Sequence, residues 1–437
     1  MAFGSFETDL LFFNYQLERE DKMPTAQEIL DCFLGINGFA VNAQETEFKT
    51  ENMTAIIGIE PLNKSCAICD GCGRMVTGIK DRSLRMYRDK PVFDWTVYLR
   101  MYRRRVVCPR CGVRSEQLPF ADGRSRFTRR FERMVFDDST AQTIAAAAEK
   151  HGISWHQAAR IEYAVLERYN EERGAPHNIK QLGVDEICVG RRNNMYTIVS
   201  DLENCAVIGV VDGHQTLSLD TFFTVSGKAF CETVEYVCMD MWKAYQTSVK
   251  AFCVNAKIIF DKFHILRHLN DAIDEVRRKE FFRQGKEKRE LVRGKRWLFL
   301  RRWFNLTKDQ KGLLKETLAL NRRLNTAYYL KEMFGHLWSY KSRTWALKFL
   351  ERWKDQLKWQ RLEPLKKFVG LVERHLEGIL NYCDEKAPMG RVEALNGVVK
   401  GIIRRSRGFR NHRHGALRIM FLTDNKAFET LNRCFHT

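Results

Sequence analysis

Four cysteines stand in two matched turns, Cys69 and Cys72 in "CDGCG" and Cys108 and Cys111 in "CPRCG". Each turn aims two thiolates at one point, and the glycine that follows relieves the strain of so tight a bend. Two such knuckles make a tetrahedral sulfur site, so the spacing predicts one structural zinc ion, Zn2+. The stretch between them contains "PVFDWTVYLRMYRRRVV", strand-like sequence that suits the hairpin of a zinc ribbon. Cys66 with Cys69 makes a rival CxxC, and the matching "CG" endings favour Cys69 and Cys72.

A second set is acidic. Asp185 lies inside the apolar run "QLGVDEICVG", Asp240 ends "VEYVCMD", and Glu393 stands near the start of the basic "GRVEALNGVVKGIIRRSRGFRN". A carboxylate inside an apolar run is unfavourable unless it is paired or bound to a metal. Hard oxygen donors suit Mg2+ or Mn2+, and two such ions can clamp the attacking and leaving oxygens of a phosphodiester displacement. Spacing alone does not single out these three, because Glu186, Asp201, Asp212 and Asp261 also lie at or near strand ends.

The third set is basic. Lys and Arg outnumber Asp and Glu by 73 to 54 in 437 residues, a formal charge of +19 that points to a polyanion. Arg103, Arg104 and Arg105 belong to an arginine cluster around the second knuckle, interleaved with Tyr98, Tyr102 and Phe127, and suit phosphate contact. Downstream, "DSTAQTIAAAAEKHGISWHQAARIEYAVLERY" reads as two helices broken at Gly152, a helix-turn-helix, with Ser139 and Ser154 as N-caps. Ser154, His156 and Gln157 open its second helix, where side chains read base edges.

The remaining elements position these groups. Residues 1–60 show no chemistry. After residue 179 come short β-rich runs separated by polar turns such as "RRNN" and "LEN", a three-stranded meander followed by further strands. Residues 265–384 are almost wholly helical, with a capping box from Thr307 to Gln310. Six tryptophans there, Trp297, Trp303, Trp338, Trp345, Trp353 and Trp359, are expected mostly in a core. In the last segment Val392, Leu395, Val399, Ile402 and Ile403 share one helical face, and Glu393, Gly397, Lys400 and Arg404 share another, with Arg405 beside them. No stretch has the roughly 18 apolar residues of a membrane span, and the start "MAFGSFETDL" lacks a basic n-region, so a cytoplasmic protein with free thiols is expected.

The order of knuckle pair, helix-turn-helix, "LGVDEICVGRRNNMYTIVSD", "VCMDMWKAYQTSVK", "NAKIIFDKFHILRHLNDAIDEVRR" and "GRVEALNGVVKGIIRRSRGFRN" resembles the ISL-three (ISL3) family of bacterial insertion-sequence transposases, over about residues 65–425. The resemblance implies a multidomain α/β protein: an RNase H-like catalytic core of the DDE class with a large all-helical insertion, preceded by a zinc-ribbon or knuckle module and a helix-turn-helix. It implies Asp185, Asp240 and Glu393 as the catalytic, metal-binding triad holding two Mg2+ (or Mn2+) ions; Asp261 and His264 of "DKFH" also match a family motif, with active-site support and a core or hydrogen-bonding role as the two alternatives. The expected division is 1–60 without assigned role, 61–120 zinc-binding, 121–178 helix-turn-helix, 179–265 first part of the core, 266–384 helical insertion, and 385–437 the final part with the Glu helix. The implied activity is metal-dependent cleavage and transfer of double-stranded DNA at terminal inverted repeats and target DNA, by a homodimer or higher oligomer near the nucleoid. The competing expectations are a catalytically inactive, sequence-specific DNA-binding regulator, and a zinc-dependent structural or RNA-binding protein.

Overall fold

The computed structural model describes residues 25–123, 125–189, 195–283, 293–385 and 387–436. The "RRNN" turn at 191–194 lies outside the described residues. Two compact units divide the chain, Met1–Val165 and Leu166–Thr437.

The first unit is built on a six-stranded sheet of β1 (Phe39–Val41), β2 (Glu47–Lys49), β3 (Thr54–Pro61), β6 (Ile79–Arg88), β7 (Thr96–Cys108) and β8 (Gly112–Ser115). Its order is β1-β3-β7-β6, with β2 on β3 and β8 on β7. The segment without legible chemistry thus supplies three strands, because the apolar "TAIIGI" of β3 lies beside β7 in parallel and is buried almost throughout. A small ribbon of β4 (Ala67–Ile68) and β5 (Met75–Val76) carries the first cysteine knuckle.

Three helices follow. Thr128 caps Arg129–Ala141 and Thr143 caps Ile144–Lys150, each hydroxyl accepting from a backbone amide three residues on. Ser139 is therefore not an N-cap: it sits inside the first helix, where its Oγ donates to the Phe136 carbonyl. Gly152, at φ +57°, makes the turn. Ser154 then caps Trp155–Arg173 reciprocally with Gln157: the Ser154 amide donates to Gln157 Oε1 at 2.9 Å and the Gln157 amide to Ser154 Oγ at 3.2 Å.

The second unit holds a five-stranded sheet of β9 (Gln181–Cys188), β10 (Met195–Asp201), β11 (Ala206–Asp212), β12 (Tyr236–Met239) and β13 (Lys257–Phe260), in the order β11-β10-β9-β12-β13. The first three form the antiparallel meander, and β12 and β13 run parallel to β9. Parallel neighbours need crossovers, supplied by helices Thr216–Ser226 and Lys228–Thr233 before β12 and by Lys243–Phe252 before β13. Gly209 lets the first of these lie on the sheet, since a Cβ there would come within 2.5 Å of the Phe222 ring.

From Lys262 to Asp384 the described residues are helical apart from short connections, and the capping box at Thr307 and Gln310 forms. One apolar core runs from Val184, Met239 and Phe260 of the sheet into Ile273, Phe334, Trp353 and Phe368 of these helices. The tryptophans divide differently from expectation. Trp353 is buried with its indole N–H on the Leu330 carbonyl, Trp303 and Trp338 are half-buried, and Trp297, Trp345 and Trp359 are exposed. Those three lie beside Arg296, Lys348 and Lys358, whose cations rest over their rings and keep indole on the surface. The helix Met389–Arg405 then packs on β9, followed by His412–Thr423 and Ala427–His436.

Candidate active site

Strand register builds the acidic site. Cys238 of β12 pairs with Gly183 of β9, so two residues further along these parallel strands Asp240 comes level with Asp185 (238 + 2 and 183 + 2). Met239 pairs with Phe260 of β13, and one step on brings Asp261 level with Asp240. Three aspartates thus stand level on three adjacent strands, Asp240 and Asp261 just past the carboxyl ends of β12 and β13 and Asp185 in the second half of β9. Ligands of sheets with parallel strands gather at such ends.

Electrostatics ties the row together. Burial pushes the Asp185 carboxyl above its ordinary value and the charge of Asp240 adds to this, against the Glu186 amide, His264 and Asn396, which favour the anion. The Glu186 amide donates to Asp185 Oδ1 at 2.8 Å. His264 Nδ1 donates to Asp261 Oδ2 at 3.1 Å, and this hydrogen bond, with the charges of Asp261, Asp185 and Asp240, raises the imidazole above its usual range despite burial. The site is a half-buried anionic cluster with one histidine as internal counter-charge.

Glu393 comes from the helix Met389–Arg405. That helix touches β9 where a Cβ on Gly183 would lie 3.0 Å from Val392 Cγ2, a closeness that favours glycine in the strand. One turn after Glu393, the buried Asn396 donates from Nδ2 to Asp185 Oδ2. Asn396 is absent from the residues singled out by sequence; its only signal there is a polar side chain beside the apolar face. Leu395, Val399, Ile402 and Ile403 are buried, whereas Glu393, Lys400, Arg404 and Arg405 are exposed. Among the described residues no carboxylate pairs with Lys400, Arg404 or Arg405.

Among the described residues, the four cysteines are the one group of three or more ligand atoms that all lie within 4.8 Å of one another. The acidic row is more open, and Glu393 stands on its helix exposed to solvent. Its oxygen donors nonetheless suit a hard cation, which would offset the mutual repulsion of Asp185 and Asp240.

The cysteine site closes as the knuckles require. Gly73 and Gly112 adopt φ of +69° and +71°, and the Gly73 amide donates to the Cys69 carbonyl at 2.9 Å. Cys72 Sγ lies 3.6 Å from Cys108 Sγ. Hydrogen bonds from the Arg110 and Cys111 amides hold the Cys108 thiol down to about 7, while the hydrogen bond to Cys72 and burial push Cys111 up to about 12. Four gathered sulfurs fit zinc. Cys66 lies outside the group, its amide on Asn63 Oδ1 and its carbonyl accepting from Arg104.

Of the three arginines singled out by sequence, Arg104 and Arg103 are engaged internally. Arg104 is buried: its amide and Nε both donate to Glu116 at 2.7 Å, and Nη1 bridges to the Asn63 and Cys66 carbonyls. It has no face to offer a phosphate, contrary to expectation. Arg103 is half-buried on the Gly123 and Glu116 carbonyls, and Arg105 pairs with Asp81 in solvent. Ser154 and Gln157 are joined in the cap, while His156 is exposed at the helix start.

A family profile described as a transposase matches residues 182–419, and one described as the helix-turn-helix domain of transposase family ISL3 matches residues 116–164. The chain is 27% identical over 397 residues to the transposase for insertion sequence element IS1001 of Bordetella parapertussis, covering 90% of this chain and 97% of that protein. It is 24% identical over 411 residues to the transposase for insertion sequence element IS1557 of Mycobacterium tuberculosis (strain CDC 1551 / Oshkosh), covering 87% and 91%. These likenesses define the class as transposase. The chain belongs to the transposase family ISL3. No helix among the described residues is long and apolar enough to cross a membrane.

Proposed function

We propose that this transposase binds the terminal inverted repeats of an insertion sequence and cuts and joins DNA at a DDE site of Asp185, Asp240 and Glu393, on an RNase H-like core with a helical insertion. The observation that carries this reading is the register that sets Asp240 level with Asp185, with the Glu393 helix tied to the same aspartate through Asn396. The mixed sheet supports the core assignment, and the long helical stretch between β13 and the Glu393 helix supports the insertion.

In the first step a water oxygen attacks the scissile phosphorus, the bond from phosphorus to the 3′-oxygen breaks, and a 3′-hydroxyl is freed. In the second, that hydroxyl attacks a target phosphodiester and displaces its 3′-oxygen. Asp185, Asp240 and Glu393 would hold two Mg2+ or Mn2+ ions, which supply activation of the nucleophile and charge stabilisation of the leaving oxygen. Lys400, Arg404 and Arg405 hold the DNA phosphates, and the Asp261–His264 pair braces the row beside Asp240. His156, at the exposed start of the second helix of the helix-turn-helix, reads the ends, and the cysteine site holds one structural Zn2+. Synapsis of two ends calls for a homodimer or higher oligomer, working on cytoplasmic, nucleoid DNA.

The competing reading is a binding-only descendant, favoured by the open position of Glu393. Incubating labelled DNA flanking the coding region with the protein and Mg2+ separates them: nicked and joined products support the enzyme, and binding without either supports the regulator.

A further inference from the structure

Two residues beyond Asp240 stands Trp242, 47% exposed. Its backbone amide donates to Asp240 Oδ1 at 2.9 Å and its indole Nε1 to the His214 carbonyl at 3.1 Å. Both N–H groups are satisfied, so the indole is held at its polar edge and has only apolar ring left to offer. Lone exposed aromatics are ordinary, but this one differs from the other exposed tryptophans of its unit and is fastened to a site aspartate. Trp297, Trp345 and Trp359 each carry a neighbouring cation over the ring, and among the described residues none lies over Trp242. The His214 ring, 6.1 Å away and tilted by 42°, leads into an open cleft of about 500 Å³ lined also by Val211, Gln215, Leu217, which is 73% exposed, and Asp212, whose carboxylate faces His412 at 3.3 Å.

The acidic row repels phosphate, so a nucleotide brought to Asp240 needs an uncharged handle on its other side. An open indole held by the same aspartate is such a handle. We propose that Trp242 is a nucleobase platform: the base next to the scissile phosphate leaves the duplex stack and lies on the indole, with the cleft beyond His214 receiving the unpaired end. This rests on the DNA-cleaving reading above. Stacking tolerates any base, so the platform positions the end without reading its sequence.

The test uses the full-length protein and duplexes from the DNA flanking the coding region, in two arms. In the first, the base next to the cleavage point is replaced by an abasic site, for wild type, Trp242→Ala and Trp242→Phe, in Mg2+. Removing the base and removing the indole should each slow cleavage about tenfold, with no further loss when combined, and Trp242→Phe should retain most of the rate. In the second, 5-iododeoxyuridine at that position is photolysed without added metal in complexes matched for DNA occupancy, and the crosslink should map to Trp242 and vanish in Trp242→Ala. Losses that multiply, or a crosslink that maps elsewhere, overturn the platform. If wild type binds the DNA but never cleaves it, the cleavage reading fails, and the crosslink alone decides the platform. If wild type does not bind this DNA, both fail. Thermal melting of both variants beside wild type excludes misfolding.

Discussion

Asn396 donates from its side-chain amide to Asp185 across 211 residues of sequence, fastening the helix that carries Glu393 to the strand that carries the first aspartate. The bond sits beside the contact of Val392 with Gly183, so packing and polarity fix one register of helix on strand.

Asn396→Ala removes that fastening while leaving every carboxylate in place. Cleavage of end DNA should fall about 10- to 100-fold, the usual effect of losing a group that orients a metal ligand. DNA affinity in gel shift should stay within a factor of about two, since affinity rests chiefly on phosphate contacts elsewhere.

The buried Arg104–Glu116 pair gives a stability prediction. Arg104→Ala strands a carboxylate that is almost wholly inaccessible and should cost about 3–5 kcal/mol in urea denaturation. Arg105→Ala, which breaks an exposed pair with Asp81, should leave the midpoint near wild type.

Zinc content separates the cysteines. Cys108→Ser should lose the ion and weaken end binding, whereas Cys66→Ser should keep it, because the Cys66 side chain lies outside the sulfur group. Metal analysis of the purified proteins reads both outcomes.

The raised His264 imidazole sets a pH dependence. A group whose folded pKa lies above its unfolded value of about 6.5 contributes its full stabilisation below that pH and loses it as pH rises through the folded pKa. Without added divalent metal, the gap in melting temperature between wild type and His264→Asn should be widest near pH 6 and close as pH rises past the raised folded value. A gap that widens with pH would contradict the assignment of Asp261 as its partner.

Local chemistry was legible in the sequence where one short stretch decides it. The cysteine knuckles with their glycines, the Gly152 turn, the β9–β11 meander and the two faces of the Glu393 helix all follow from spacing and period. Long-range pairing was not. Nothing in "TAIIGI" announces β7 as its neighbour, and no periodicity shows that Arg104 turns inward to Glu116 while Arg105 turns out to Asp81. Ser139 was misread because Thr143, four residues on, offers the same capping oxygen at the true helix start. The acidic row itself depends on inter-strand register, which is why Asp185 and Asp240 needed family likeness to stand out from other strand-end acids, and why Asn396 did not stand out at all.

The central claim is that Asp185, Asp240 and Glu393 act together on DNA. Its most direct measurement compares Mg2+-dependent cleavage of flanking DNA by wild type, Asp185→Ala, Asp240→Ala and Glu393→Ala, each matched for DNA binding. The account predicts cleavage by wild type and its abolition in all three variants with binding retained; full cleavage by any one of them would contradict it.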